Sequence, residues 1–247
     1  MLNVEDVFKR FEQLHSYSFA TINDGYPDIR IAHFVAWDEG GLYFQTMKVK
    51  PFYKQLKETK KVAVLSLVSK NEKASHDEMG LSEFPSGFFI RLKGDVKEVD
   101  FDQLKQKAKN DSKFMPLVKD IERYPTMTTF VVHRYSGELY DFDFEKKHRD
   151  HKLERERFNF NGFDYINCGF VIQKDKCIAC GSCYKACTFN AIEKGDKYYK
   201  INGSYCDECG SCYSVCPTNA VIAKTPMSEE DRNLANRMLK SYMHSNK

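Results

Sequence analysis

Residues 177–192 read CIACGSCYKACTFNAI and residues 206–221 read CDECGSCYSVCPTNAV. The two stretches are offset by 29 positions and share nine of sixteen residues, which makes them an internal repeat. Each carries the pattern C-x-x-C-x-x-C-x-x-x-C. Three thiolates at i, i+3 and i+6 in a tight loop can hold three irons of one cubane. The fourth, four residues later, starts a helix that leads away and reaches the other cluster. The spacing therefore predicts two [4Fe–4S] clusters. One is held by Cys177, Cys180, Cys183 and Cys216, the other by Cys206, Cys209, Cys212 and Cys187. Gly181 and Gly210 let the backbone approach the sulfides, where amide N–H groups can hydrogen-bond. Structural zinc sites need paired CxxC units and leave no use for the third and fourth cysteine at this spacing.

Outside the repeat, the 247 residues are ordinary for a globular chain: 42% are hydrophobic, and 38 basic side chains face 35 acidic ones. A net charge of +3, evenly spread, argues against a nucleic-acid partner. No stretch approaches the ~18 apolar residues of a membrane helix. The opening MLNVEDVFKR lacks the charged-then-apolar pattern of a signal peptide, so a cytoplasmic protein is expected. Of nine cysteines, eight lie in the repeat, and clustered thiols in such a compartment point to metal rather than disulfides. The ninth, Cys168, is expected to be a buried structural thiol, with a reactive thiol as the alternative. Residues 166–224 carry seven basic and five acidic side chains, and each oxidised cluster with its thiolates adds about −2, so loading reverses the sign of this surface.

Residues 1–144 contain no cysteine and read as mixed helix and strand. Asn3 caps a short helix carrying Val4, Val7, Phe8, Phe11 and Leu14. Strands are expected at Ser18–Ile22, Ile29–Trp37, Leu42–Thr46, Phe88–Val99 and Thr128–Phe144, the last broken in two by a turn at Ser136-Gly137. Val62–Val68 is a continuous apolar run, expected to be buried on both faces. Pro51 opens one helix, and Asp102–Asp120 forms another. Short turns between strands suggest a small antiparallel barrel. The charge-dense residues 145–157 mark a solvated linker over 145–165, then a cluster domain over 166–225. A capped helix follows over 226–247, with Leu234, Met238 and Leu239 on the side that docks. The fold class is thus α+β: a β-barrel followed by a small two-cluster domain.

Residues 166–224 resemble bacterial-type two-cluster ferredoxins. Cys216 is followed by Pro217, as that family expects, but Cys187 is followed by Thr188, a departure that bears on loop geometry. Upstream, PDIRIAHFVAWDEGGLYFQTMKVKPFYKQLKETKKVAVLSL, residues 27–67, resembles the FMN-binding split barrel of the pyridoxamine 5′-phosphate oxidase-like superfamily. Its carriers are Arg30 in an early strand, a glycine turn, the LYFQT strand, K-x-K-P opening a helix, and the VAVLSL strand. With the appended ferredoxin, the whole resembles nitroimidazole-resistance-related flavoproteins. The resemblance implies FMN and a homodimer through the barrel.

The residues fit that implication. Lys48 and Lys50 stand before Pro51 at a helix start, where side-chain charge and free N–H groups favour a phosphate. Arg30 on a neighbouring strand can add a bidentate contact. The resemblance assigns Ile31, Ala32, Gln45, Thr46 and Met47 to the isoalloxazine. His33 is a candidate proton donor to the flavin, with a structural histidine as the competing reading. His133 and Tyr135, on a late strand, are candidates to reach a flavin across a dimer interface. Phe84, Phe88 and Phe89 are expected in the core.

The expected function is an iron–sulfur flavoprotein oxidoreductase. The clusters, fed by a redox protein such as a ferredoxin, pass electrons to FMN, which reduces a small organic acceptor such as a nitro-compound or another flavin. A non-enzymatic electron shuttle between protein partners and a redox or oxygen sensor are the alternatives. No G-x-G-x-x-G for a nicotinamide cofactor is present.

Overall fold

The computed structural model describes residues 2–14, 17–69, 87–143, 152–164 and 167–245. They fall into two compact units, the first built from residues up to 69, 87–140 and 156–166, the second from 141–155 and 167–247. Among the described residues, no helix is long and apolar enough to cross a membrane.

The first unit begins with α1 (Val4–Glu12). The Asn3 side chain accepts from the Asp6 N–H while Asp6 accepts from the Asn3 N–H, a reciprocal cap that fixes where the helix starts. Strands β1 (Tyr17–Asn23), β2 (Tyr26–Ala32), β3 (Phe34–Asp38) and β4 (Gly41–Met47) follow, then α2 (Pro51–Thr59), β5 (Lys61–Ser69) and β6 (Gly87–Val99). Helices α3 (Phe101–Asn110) and α4 (Met115–Arg123) flank a 3₁₀ turn, and the larger parts of β7 (Met127–Asp143) and β8 (Lys152–Phe160), up to residue 140 and from residue 156, close the set. One eight-stranded sheet runs β2-β1-β5-β6-β7-β4-β3, with β8 added beside β7. The registered pairs in it are antiparallel, for example Phe19 opposite Arg30 and Phe44 opposite Phe130.

The inner face of this sheet packs α1 and α2 against Phe19, Phe34, Phe44, Val64, Ile90 and Phe130. Phe19 sits in a web of tilted rings, 5.0 Å from Phe44 and 5.2 Å from Phe34, spacings that favour edge contacts. A second core covers the opposite face of β3, β4 and β7, where Tyr43 and Val131 meet Leu104, Phe114 and Leu117 of the α3–α4 layer. The α+β expectation holds, with the antiparallel sheet leading and the small cluster unit following.

Four expectations are corrected. The strand buried on both faces is β4, because α3 and α4 cover its outer side, whereas β5 alternates. Leu65 is 48% and Leu67 58% exposed. The turn at Ser136-Gly137 does not exist, since β7 runs unbroken through it. Gly137 is there because a Cβ would lie 2.3 Å from the Arg91 carbonyl oxygen and 2.6 Å from the Phe158 ring. The stretch 145–165, expected as a linker, contains β8. Its buried Arg157 reaches buried Glu138 at 3.6 Å, so charge there serves a strand rather than a solvated tether. The helix expected over Asp102–Asp120 is two helices with a 3₁₀ turn between them.

The second unit repeats a strand–loop–helix–strand pattern: β9 (Phe170–Ile172), α5 (Ser182–Ala186) and β10 (Ile192–Glu193), then β11 (Lys200–Ile201), α6 (Ser211–Val215) and β12 (Val221–Ala223). Pairing is crossed, with β9 on β12 and β10 on β11. Helix α7 (Glu229–Ser245) completes the unit. Its cap is as expected, the Asp231 N–H donating to the Ser228 hydroxyl. Leu234 and Met238, expected on its docking side, are exposed, whereas Arg232, Ala235, Asn236 and Leu239 are half-buried.

Candidate functional site

The cysteine repeat folds as two copies of one backbone trace. Left-handed positions recur at the 29-residue offset, at Ala179 and Glu208, Gly181 and Gly210, and Asn190 and Asn219. Gly181 (φ 76°) and Gly210 (φ 81°) cap α5 and α6 in a conformation that costs a side-chain-bearing residue about 1 kcal/mol or more. Backbone amides aim at sulfur in both copies, Ala191 N–H to Cys187 Sγ at 3.3 Å and Ala220 N–H to Cys216 Sγ at 3.2 Å. Such bonds stabilise the thiolate form of a ligand.

Cys177, Cys180, Cys183 and Cys216 line one small cavity with Ile172, Tyr199 and Pro217. Cys183 feels Cys180, Cys216 and Cys177, and burial pushes its thiol up to about 11. Cys212 feels Cys209, Cys187 and also Cys183, and burial pushes it up to about 12. Cys216 is the exception: burial raises it, but the N–H groups of Val221, Thr218 and Ala220 outweigh that and hold it below the usual thiol range. Clustered thiols, buried at Cys183 and Cys212 and held by backbone donors at half-buried Cys187 and Cys216, suit iron, whose binding deprotonates a thiol outright.

Cys168 is half-buried rather than buried. It shares a hydrogen bond with Cys206 which, with burial, drives that thiol up. The neighbouring Gly169 N–H donates to Glu208 Oε1 at 3.1 Å, and Arg155 Nη1 reaches the same oxygen at 3.1 Å.

In the first unit, a cleft of about 370 Å³ opens between β2, β4 and the start of α2. That volume lies at the lower end of the few hundred to about 1,000 Å³ typical of small-molecule sites. Arg30, Ile31, Ala32, Gln45, Thr46, Met47, Lys50 and Pro51 all line it, joined by Asp28, Ile29, Phe52 and Met127. Pro51 is the first residue of α2 and Lys50 its N-cap. No side chain caps that terminus and no acid occupies its first turn, leaving it attractive to an anion. Lys48 is the residue left out: it lines the adjoining cleft with Lys57, Glu98 and Thr128, which touches the first at Met127.

Two side chains in the cleft are already committed. Arg30 donates to Thr21 Oγ1 at 2.5 Å and Gln55 Oε1 at 3.0 Å, and lies 4.4 Å over the Phe52 ring. Its Nη2 is also 2.8 Å from Asp28 Oδ2. Gln45 Nε2 donates to the Leu117 carbonyl and Thr129 Oγ1, so its amide nitrogen serves α4 rather than the cleft. Asp28 and Gln55 are the residues missed from sequence. Asp28 was legible as the i−2 neighbour of Arg30 on one strand face, but Gln55 needed the tertiary fold.

His33 is exposed, sits between β2 and β3 edge-on to Tyr17, and does not line the cleft. Tyr135 is buried in the first core, stacked on Phe160 at 5.0 Å, which closes it to any outside ligand. His133 is half-buried, and burial and then Lys97 lower its pKa. Phe88 and Phe89 are half-buried, the latter stacked on Tyr140, and Phe84 lies outside the described residues.

A comparison with curated proteins finds no match. Among solved structures, the chain is similar to a NimC/NimA family protein from Clostridium acetobutylicum. The two share 18% identity over 64% of this chain and 92% of that one, with a TM-score of 0.44. PhzG from Burkholderia lata 383, in complex with tetrahydrophenazine-1-carboxylic acid, shares 14% identity over 64% and 82%, at 0.41. The heme storage protein HutZ from Vibrio cholerae shares 13% over 53% and 90%, at 0.36. Residues 170–223 match the family model of the 4Fe-4S dicluster domain, so the chain carries an iron–sulfur redox module in its second unit.

Proposed function

We propose that the chain is an iron–sulfur flavoprotein oxidoreductase. In this reading Cys177, Cys180, Cys183 and Cys216 hold one [4Fe–4S] cluster, Cys206, Cys209, Cys212 and Cys187 hold the other, and FMN occupies the cleft of the first unit. The clusters supply single electrons, and FMN supplies the chemistry that turns them into reduction of a small organic acceptor. The observation that carries the reading is the cleft itself, where a cationic strand residue, a lysine N-cap and a helix start without acids converge beside apolar Ile29 and Ile31. The cationic end suits a phosphate and the apolar end suits a ring.

Each residue has a task in this reading. Lys50 and the first N–H groups of α2 neutralise the phosphate. Arg30, fixed by Thr21, Gln55 and Asp28, presents a guanidinium that cannot swing away. Ile29 and Ile31, 65% and 69% exposed, form with Leu65 and Leu67 an apolar face on β2, β1 and β5. We assign that face to a second copy of the chain, which would cover the cleft where Ile29 and Ile31 line it.

The test is anaerobic purification with iron, sulfide and flavin counted per chain. Two cubanes and one flavin per chain are expected, followed by stepwise reduction of both. Two cubanes without flavin would leave a ferredoxin-like shuttle as the function. The open cleft favours the enzyme, because a shuttle has no need of a solvent-accessible site.

A further inference from the structure

Arg232 stands one turn into α7, outside both copies of the repeat. Its Nε and Nη2 donate to the Tyr213 carbonyl at 3.0 and 2.7 Å, and Nη2 also donates to the Cys216 carbonyl at 3.3 Å. Nη1 is hydrogen-bonded to Asn219 Oδ1, and the guanidinium carbon lies 4.4 Å over the Tyr213 ring. A planar fork spread over two carbonyls, an amide and a ring leaves this side chain little freedom. The Ser228 cap fixes where α7 begins and so where Arg232 falls, its own N–H donating to the Ser228 carbonyl at 3.0 Å.

The chain has one α7 but two repeats. Tyr213, Cys216 and Asn219 correspond to Tyr184, Cys187 and Asn190 in the first copy, and the repeat supplies no second Arg232. Besides Lys185 in the first copy and Asp207 and Glu208 in the second, the two cysteine sets, alike in backbone, thus differ in one delocalised positive charge clamped to the peptide of Cys216. We propose that Arg232 is a positioning residue for the cluster held by Cys177, Cys180, Cys183 and Cys216, fixing its crossing ligand and raising its reduction potential above what the repeat alone would set. A nearby cation favours the more negative, reduced cluster, and outer-shell contacts are among the main levers on such potentials. The second unit thereby gains two electron sites of unequal affinity from two copies of one cysteine repeat.

The inference deepens the two-cluster reading, and the two fail separately. Absence of cubane iron in the unaltered protein sinks that reading, whereas full iron with an unmoved midpoint in Arg232→Gln sinks this one. The experiment is an anaerobic reductive titration followed by electron paramagnetic resonance, on the full chain and on Arg232→Gln and Arg232→Lys. In Arg232→Gln the midpoint of one cluster falls and the other stays, and the signal that moves is the one abolished by Cys216→Ser. Arg232→Lys keeps the charge and holds the midpoint near its unaltered value. Loss of half the iron in Arg232→Gln, with full iron in Arg232→Lys, also supports the assignment. An equal shift in both clusters, a shift in the signal that survives Cys216→Ser, or equal iron loss in both variants overturns it.

Discussion

Arg30 and Asp28, two residues apart on one face of β2, form an ion pair of 2.8 Å at the mouth of the first unit's cleft. The pair partly neutralises the cation, so on the FMN reading proposed above the carboxylate competes with the phosphate. Asp28→Asn should tighten FMN binding and Arg30→Ala should weaken it. A charge-assisted hydrogen bond contributes about 1.5–3 kcal/mol, so the loss in Arg30→Ala is roughly tenfold to hundredfold in Kd. Quenching of flavin fluorescence on titration with the flavin-free protein measures both.

Lys50 and Lys48 separate by position. Lys50 lines the cleft with Arg30, whereas Lys48 lines the adjoining one beside Glu98. Lys50→Ala should lower the flavin retained per chain, with Lys48→Ala close to the unaltered protein. Flavin released by denaturation, set against protein concentration, decides it. Equal losses would move the phosphate toward the second cleft.

The crossed ligation proposed above makes a prediction that sequence order would not. Cys187→Ser should disturb the cluster of Cys206, Cys209 and Cys212, not that of its neighbours Cys177, Cys180 and Cys183. Iron content should fall by up to half, and electron paramagnetic resonance of the reduced protein should lose one signal of two. Loss of the cluster on Cys177 instead would reject the pairing.

Glu98 carries a pH signature. Burial pushes its carboxyl up, but hydrogen bonds from Lys57 at 2.9 Å and Thr128 at 2.7 Å outweigh that and hold it below the usual range. A carboxyl depressed on folding stabilises above its unfolded pKa, and that stability is lost as pH falls through the folded value. The stability gap between the unaltered protein and Glu98→Gln, of the order of 1 kcal/mol near neutral pH, should therefore shrink on acidification below the normal carboxylate range. Urea unfolding of both proteins from pH 7 downward tests it.

The apolar face of β1, β2 and β5 predicts association. Leu65→Lys with Leu67→Lys places two charges on strand positions that the chain leaves open, so folding should survive while self-association is lost. Sedimentation velocity should show a dimer become a monomer. A dimer that persists would assign the interface elsewhere.

What could be read from the sequence followed how local the cause was. Cubane-ligand spacing is short-range, and the helix caps at Asn3 and Ser228 are set within three residues. Cys216 sharing a cavity with Cys177 was legible because the fourth cysteine leaves its own loop. Strand β8 was hidden because its buried Arg157 pairs with buried Glu138 on the neighbouring β7, so a core position read as charge. Gly137 read as a turn because the close approach of β6 and Phe158 is a tertiary fact. Leu65 and Leu67 read as core because an exposed apolar residue has the same composition as a covered one. Arg232 gave no signal, as its acceptors are backbone carbonyls with no sequence signature.

The exchange of β9 with β12 and β10 with β11 bears on how the protein is born. While the ribosome has released only the first repeat, Phe170–Ile172 lacks its hydrogen-bonding partner, which arrives with Val221–Ala223. Neither half can pair its strands alone, so on the crossed ligation proposed above iron delivery to this module belongs after synthesis has passed its final strand. A nick between the halves would leave two fragments that must find each other before either could keep metal.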